Sequence, residues 1–340
     1  MAKRSLVALA LVTLLMVVAA VATLATGGGS RSGAGTDRPA LPGLAARLGE
    51  VATVEIRRAG LDLTVRRDGN NWLVEQKSGY PADAGKIRRV VLALADMTLV
   101  EPKTAEPALY PRLGVEDPGH GKSTLVVIKD KSGADIGRLI VGRHSYDRLG
   151  AGSDGVYVRK PSDAQSWLAR GSLDFSDDVR GWLARQIVDV PSSRIAKVAV
   201  TQPDGATLTL SRAKPDAKFA VENPPKDAKF KSDAQLAEPA SGLETLSLDD
   251  VRPATKFAVP DKGVSLASYT TFDGLTLRLR LFRADGKDWA AVSASGGGTA
   301  AVEAKRIQDR VGRWVYAIPS YKAKIFGTKL ADLIEPVKGS

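Results

Sequence analysis

The chain has 340 residues, with 49 Lys and Arg against 38 Asp and Glu, a net charge of +11 and no cysteine. The length allows about two domains, and a hydrophobic content of 44% excludes wholesale disorder. The absence of Cys excludes a disulfide framework, thiolate zinc sites, iron–sulfur clusters and a cysteine nucleophile; the presence of only two histidines, His120 and His144, argues against His-built metal sites, and the 6% aromatic content against a base-stacking nucleic-acid binder.

At the N-terminus, Lys3 and Arg4 precede an uncharged run from Ser5 to Thr26. As a helix rising 1.5 Å per residue this run is ~33 Å long, enough to cross a hydrocarbon core of about 30 Å. The charges before it are expected to stay in the cytoplasm, which exports the remaining chain. Residues 1–26 therefore read as a transmembrane anchor, with a cleaved signal peptide as the alternative because Ala20-Val21-Ala22 resembles a small-residue cleavage site. Residues 27–43, rich in Gly, Ser and Pro, read as a flexible linker.

Beyond the linker the sequence repeats itself. Val51–Gln76 and Ile195–Asn223 each show an alternating strand, a Gly turn, a second alternating strand, a polar turn and an aromatic-led third strand. Val54 aligns with Val198, Gly60 with Gly205 and Trp72 with Phe219. A helical pattern follows at Ala82–Met97, where Ile87, Val90, Val91 and Leu94 share one face, and more weakly at Ser232–Leu246. Strand pairs then follow in both halves, and helical patterns are expected around Ala164–Leu168 and Val179–Gln186. The fold class is α+β: two repeated modules, 44–190 and 191–340, each an antiparallel sheet with packed helices, the second a degenerate repeat of the first.

Motifs that would carry catalysis are weak. Gly119-His120-Gly121-Lys122-Ser123-Thr124 resembles a phosphate loop, but Glu116 stands where the motif needs its first Gly, and a strand-like run follows where a helix should open. Asp177-Asp178 and Asp249-Asp250 read as capping or solvated carboxylates. Gly296-Gly297-Gly298 reads as a loose hairpin tip. The charge distribution says more. Lys305–Lys329 holds seven basic residues and one acid, Asp309. Ile307, Val311, Trp314 and Val315 make an apolar stripe at helical spacing, with Lys305, Arg306, Arg310 and Arg313 on the other face. These four form the expected interaction surface, either solvated or facing anionic lipid or an acidic partner.

Trp72-Leu73-Val74 followed by Tyr80-Pro81-Ala82-Asp83 resembles the bacterial family catalogued as domain of unknown function 4340. So do Tyr110…Leu113-Gly114-Val115…Asp117-Pro118, Val179-Arg180-Gly181-Trp182-Leu183, and the closing Gly312-Arg313-Trp314-Val315-Tyr316-Ala317-Ile318-Pro319. The likeness covers most of residues 51–335. Its motifs are packing residues, and it carries over no active site. Some members are associated with ABC-type export systems, so the resemblance implies an envelope-facing accessory role.

The expected protein is a non-enzymatic, membrane-anchored envelope module without cofactor, metal or nucleic-acid partner. Its expected partners are the inner membrane and a membrane complex such as an ABC-type transporter. A ligand- or polysaccharide-binding protein and an envelope hydrolase are the alternatives. N-terminal sequencing of the mature protein is expected to find residues before Ala20; a start at Thr23 or Thr26 would mark a cleaved leader instead.

Overall fold

In a computed structural model, residues 37–119, 121–146 and 154–335 are described. The expected anchor 1–26, the linker up to residue 36, and His120 lie outside them. Contacts divide the chain into two compact units: residues up to 62 with 88–175, and residues 63–87 with 176 onward. The chain therefore passes from one unit to the other three times.

The first unit is an antiparallel sheet. Its strands are β1 (Arg38–Pro39), β2 (Thr53–Arg58), β6 (Thr98–Pro102), β7 (Thr124–Lys129), β8 (Asp135–Ser145), β9 (Gly155–Arg159) and β10 (Ser166–Arg170), and they lie in the order β1-β6-β10-β9-β8-β7-β2. The intervening β3 (Leu61–Asp68), β4 (Asn71–Val74) and β5 (Tyr80–Pro81) form a meander, with Val65 opposite Val74 and Val74 opposite Tyr80. Helix α1 (Ala84–Asp96) buries the expected face of Ile87, Val90, Val91 and Leu94.

Strand β7 is buried on both faces from Thr124 to Ile128. Alternation is lost because a strap, residues 103–119 with 121–123, lies over one face. Its helix α2 (Tyr110–Leu113) packs Tyr110 and Val115 against Leu125, Val127 and Ile140. The strap comes so close to β8 that a Cβ at Gly142 would sit 2.4 Å from the Leu113 carbonyl oxygen, so only glycine fits there. Arg159 fastens the strap: its Nε donates to the Val115 carbonyl at 2.9 Å, its Nη2 meets Asp117 at 2.5 Å, and its guanidinium lies 4.5 Å over the Tyr110 ring.

The second unit carries β11 (Gln186–Val188), β12 (Ile195–Thr201), β13 (Thr207–Ser211), β14 (Ala220–Val221), β15 (Leu246–Ser247), β16 (Asp250–Pro253), β17 (Ser265–Thr271), β18 (Leu275–Ala284), β19 (Lys287–Gly296) and β20 (Trp314–Ile318). Eight of them form an antiparallel sheet in the order β14-β13-β12-β17-β18-β19-β20-β16. The six strands β12-β17-β18-β19-β20-β16 follow, member for member, the order β2-β7-β8-β9-β10-β6 of the first unit. The helices are α3 (Asp233–Ala237), α4 (Ala301–Val311), α5 (Ser320–Phe326) and α6 (Leu330–Leu333).

Several expected elements come out differently. Residues 166–170 form strand β10, which pairs with both β6 and β9, and the Ser166 hydroxyl donates to the Thr104 carbonyl at 2.7 Å. The expected helix at Val179–Gln186 is a 3-10 turn, Val179–Trp182, followed by β11. The stretch 232–246 is one short helix that runs into a 3-10 turn at Glu238–Leu243, where Pro239 removes a helical donor. Gly296–Gly298 is no hairpin tip: it leads from β19 into α4, and a Cβ at Gly296 would meet Ala300 at 3.1 Å. Helix α4 ends at Val311, so Ile307 and Val311 are buried from the helix, whereas Trp314 and Val315 are buried from β20.

Lys322 on α5 is 5% exposed. Its ammonium donates to the carbonyls of Ser241, Gly242 and Glu244 at 3.1, 3.1 and 2.7 Å, closing the end of the 3-10 turn. Burial pushes this ammonium below the usual lysine value, while the charges of Glu244 and Asp189 draw it back up. Lys322→Met removes the ammonium donor from all three carbonyls, of which Ser241 still accepts from the Glu244 N–H, and is expected to destabilise the protein by about 2 kcal/mol. Chemical denaturation would read this as a lower midpoint at unchanged slope.

Candidate functional site

The second unit brings together sequence motifs far apart in the chain. Tyr80–Asp83 lies beside residues 182–184. Asp83 N–H donates to the Trp182 carbonyl at 2.9 Å, Ala184 N–H donates to the Pro81 carbonyl at 2.9 Å, and Ala82 bridges Leu183. Asp83 then caps α1, its Oδ1 accepting from Lys86 N–H at 2.9 Å. The Lys86 ammonium reaches the Ser176 hydroxyl and the Gly181 carbonyl and lies 4.5 Å over the Trp182 ring. Trp182 is fully buried. Gly181 is required by close approach, because a Cβ there would sit 2.5 Å from Ser176 Oγ.

Tyr80 enters from the meander and meets β20. Its ring stands edge-on to Trp314 at 5.0 Å and to Tyr316 at 6.2 Å, and its hydroxyl donates to the Ala184 carbonyl at 3.2 Å. Burial pushes the Tyr80 phenol up to about 12. Burial, and then the neighbouring Tyr80, push Tyr316 up as well. Both tyrosines are therefore neutral across the physiological range and serve as packing and hydrogen-bonding groups.

Charged groups ring this aromatic cluster. Asp250 is held by Lys77 at 2.5 Å and faces Lys287 at 3.5 Å. Burial opposes ionisation of the Asp250 carboxyl, but the Lys77 hydrogen bond, the Val251 N–H and the two ammonium charges outweigh it and hold it below its ordinary value. Asp249 pairs with Arg185 at 3.3 Å. Asp178 accepts from the Arg180 N–H at 2.7 Å and from the guanidinium of the same residue, which with the other Arg180 contacts lowers its carboxyl to about 2. Asp178, Arg180, Arg185, Asp249 and Lys287 line a cleft of about 430 Å³ together with Gly181, Gly286, Ala317, Ile318 and Ser320. Its lining holds three cations, Arg180, Arg185 and Lys287, and three carboxylates, Asp178, Asp249 and Asp288.

The residues expected from sequence to form an interaction surface are elsewhere. Lys305, Arg306, Arg310 and Arg313 are all exposed, but Arg313 lies in the turn after α4 rather than on it. Lys305 pairs with Asp309 at 2.7 Å and Arg310 donates to the Ile187 carbonyl at 2.8 Å. Lys322, counted with the basic stretch, is buried. Asp178 caps its turn, as expected of the Asp177-Asp178 pair. His144 is exposed and stacks on Tyr146. Lys122 stands in a bend two residues before β7 and its N–H donates to Glu116 Oε1 at 2.7 Å, so a strand follows the motif, as its sequence suggested. Sequence reasoning did not single out Lys77. Nothing local marks Lys77, whose partner is 173 positions away.

Residues 72–265, more than half of the chain, match the family described as Domain of unknown function (DUF4340). The chain belongs to this family. No curated protein matches it. The DUF4340 match begins at Trp72 and takes in the Tyr80–Asp83 and Val179–Leu183 motifs, which the second unit packs against each other.

The Lys77–Asp250 pair makes a test. A carboxyl whose folded value is depressed contributes stability at neutral pH, and that contribution is lost as pH falls below the ordinary carboxylate range toward the folded value. Asp250→Asn is expected to lower stability at pH 7 by about 1.5–3 kcal/mol. The loss on acidification should also be smaller than in the parent, as read by thermal melting between pH 7 and pH 3.

Proposed function

We propose that this DUF4340 protein is a non-enzymatic, membrane-anchored binding module of the cell envelope that serves as an accessory part of an ABC-type export system. The observation that carries this reading is the surface after β19. Helix α4 buries Ala304, Ile307 and Val311, while Lys305, Arg306, Arg310 and Arg313 face solvent. Lys305 and Arg310 are partly engaged by Asp309 and by the Ile187 carbonyl, whereas Arg313 forms no ion pair among the described residues. A cationic surface of this kind meets anionic surfaces with about 1 kcal/mol per basic residue, screened beyond ~8 Å at physiological salt. The apolar run Ser5–Thr26 supports an anchor in the cytoplasmic membrane with the bulk of the chain outside it. The matching order of six strands in the two units supports an internal duplication.

The cleft at Arg180 and Asp249 favours a second reading, a binding protein for a small ligand. Its volume falls in the range of ligand sites. Its three cations and three carboxylates fit a ligand bearing both charges.

Changing Lys305, Arg306 and Arg313 to Glu is expected to leave the melting temperature nearly unchanged, since exposed charges contribute little to stability. It should weaken the salt-sensitive co-purification of envelope components with the tagged full-length chain. Equal recovery from parent and variant, at low and high salt, would leave this surface merely solvated.

A further inference from the structure

The two sheets share a strand order but not a covering. In the first unit the strap lies on Leu125, Val127 and Ile140. The connection at the same point of the second unit, residues 254–264, is about half as long. It covers only one end of its sheet, where Phe257 lies 5.8 Å from Phe282 and 4.6 Å from Trp289, capped by the Arg252 guanidinium. Register carries the comparison residue by residue. Glu55, Val127 and Arg138 stand in one row of the first sheet, and Ala199, Ser268 and Arg278 stand in the matching row of the second. In the adjacent row Leu125 and Ile140 correspond to Leu266 and Arg280. Two of the three strap-facing apolar positions have thus become polar or cationic. The third, Leu266, is 47% exposed.

The second sheet accordingly reads as one-sided. On β18, Leu275, Leu277 and Leu279 are buried while Arg278 and Arg280 are exposed, and β12, β13 and β17 alternate likewise. The open side spans five strands, β13-β12-β17-β18-β19, roughly 20 Å at the usual strand spacing. Hydroxyl residues such as Thr209, Thr270 and Ser293 dominate it. Neither Arg278 nor Arg280 forms an ion pair among the described residues, although Arg280 donates to the Pro260 carbonyl at 3.2 Å. Lys197 at one margin pairs with Glu222 at 3.0 Å, leaving the centre of the face with uncompensated positive charge.

We propose that this open face is a docking surface for an acidic protein surface, with Leu266 as its apolar contact and Arg278 and Arg280 as the charge determinants. The free cations select an anionic partner. The strands of the open face carry no exposed aromatic ring on which a sugar would stack (Phe272, 40% exposed, lies in the turn after β17) and only one exposed aliphatic side chain, Leu266, to enter a bilayer, so a protein fits the face better than a polysaccharide or a lipid surface. Its width matches a small, transient interface. It uses residues distinct from the α4 surface and stands or falls separately.

The test places a photo-reactive benzoylphenylalanine at Ser268 in the full-length chain in its native membrane, with Val302, 81% exposed on α4, as the off-face position. The expected result is a light-dependent protein adduct at Ser268 whose cross-linked peptide is rich in Asp and Glu. The adduct should fall at least tenfold in Arg278→Glu/Arg280→Glu and at high salt, and return when the partner's acids are changed to Lys. Arg278→Ser/Arg280→Ser serves if the reversal impairs folding. No protein adduct, an adduct to lipid or glycan, a cross-linked peptide without acids, or an adduct indifferent to both Arg variants would overturn the proposal.

Discussion

Residues 63–87, although they come early in the chain, are structural members of the second unit, and the Tyr80 anchor is the constraint on which that unit's architecture turns. The anchor couples three kinds of interaction with different ranges. Ring contacts with Trp314 and Tyr316 remove apolar area from water. Backbone bonds through Pro81, Asp83 and Ala184 satisfy groups that would otherwise be buried without partners. The Lys77–Asp250 pair, with both side chains largely shielded, fixes where the segment sits along β16. None of the three is sufficient alone. A buried ion pair is a weak source of net stability and a strong source of register, whereas aromatic burial is strong but tolerant of small shifts.

This arrangement bears on the domain organisation. A cut near Val190 falls between the two strand repeats, yet it separates Tyr80 from Tyr316 and Lys77 from Asp250. A fragment starting after that point would expose the Trp314–Tyr316 surface of β20 and leave Asp250 with Lys287 alone. Sequence repetition and physical cooperativity are thus different partitions of one chain. The repeat is written in strand order, and cooperativity is written in which side chains remove one another from water.

What the sequence made legible follows from the range of the signal. Alternation in LTLRLRLF, the Gly turns and the periodic face of α1 are local, and each was readable. Strand β10 was misread because it is sandwiched between β6 and β9 and lacks clean alternation, so Ala164–Leu168 mimicked helical spacing. The stripe Ile307, Val311, Trp314, Val315 was read as one helix because strand β20 continues the burial where Gly312 ends the helix. The four basic positions are exposed, but Arg313 lies in the turn beyond the helix on which the pattern put it. The cleft was not legible, because Arg180, Asp249 and Lys287 converge only through pairing between strands distant in sequence. Tyr80–Asp83 and Val179–Leu183 were visible as motifs, but their spacing gave no sign that they pack against each other.

The two sheets show how a shared strand order can end in different surfaces. A sheet needs one buried face to be stable, and its second face is free to be covered or solvated. In the first unit Gly142 lets the strap approach to contact, Arg159 fastens it, and Leu125, Val127 and Ile140 supply apolar area beneath. In the second unit Phe282 occupies the position of Gly142, as the register of β18 against β17 requires. A phenylalanine there blocks the close approach and itself needs cover, which the shorter connection provides through Phe257. Once the strap is confined to that end, apolar residues along the rest of the face would lie open to water, and Ser268 and Arg280 replace them. The polar face is thus the physical consequence of one change in side-chain volume together with a shortened connection. Leu266 keeps the apolar character of its counterpart Leu125 after the covering has gone, and is therefore left 47% exposed.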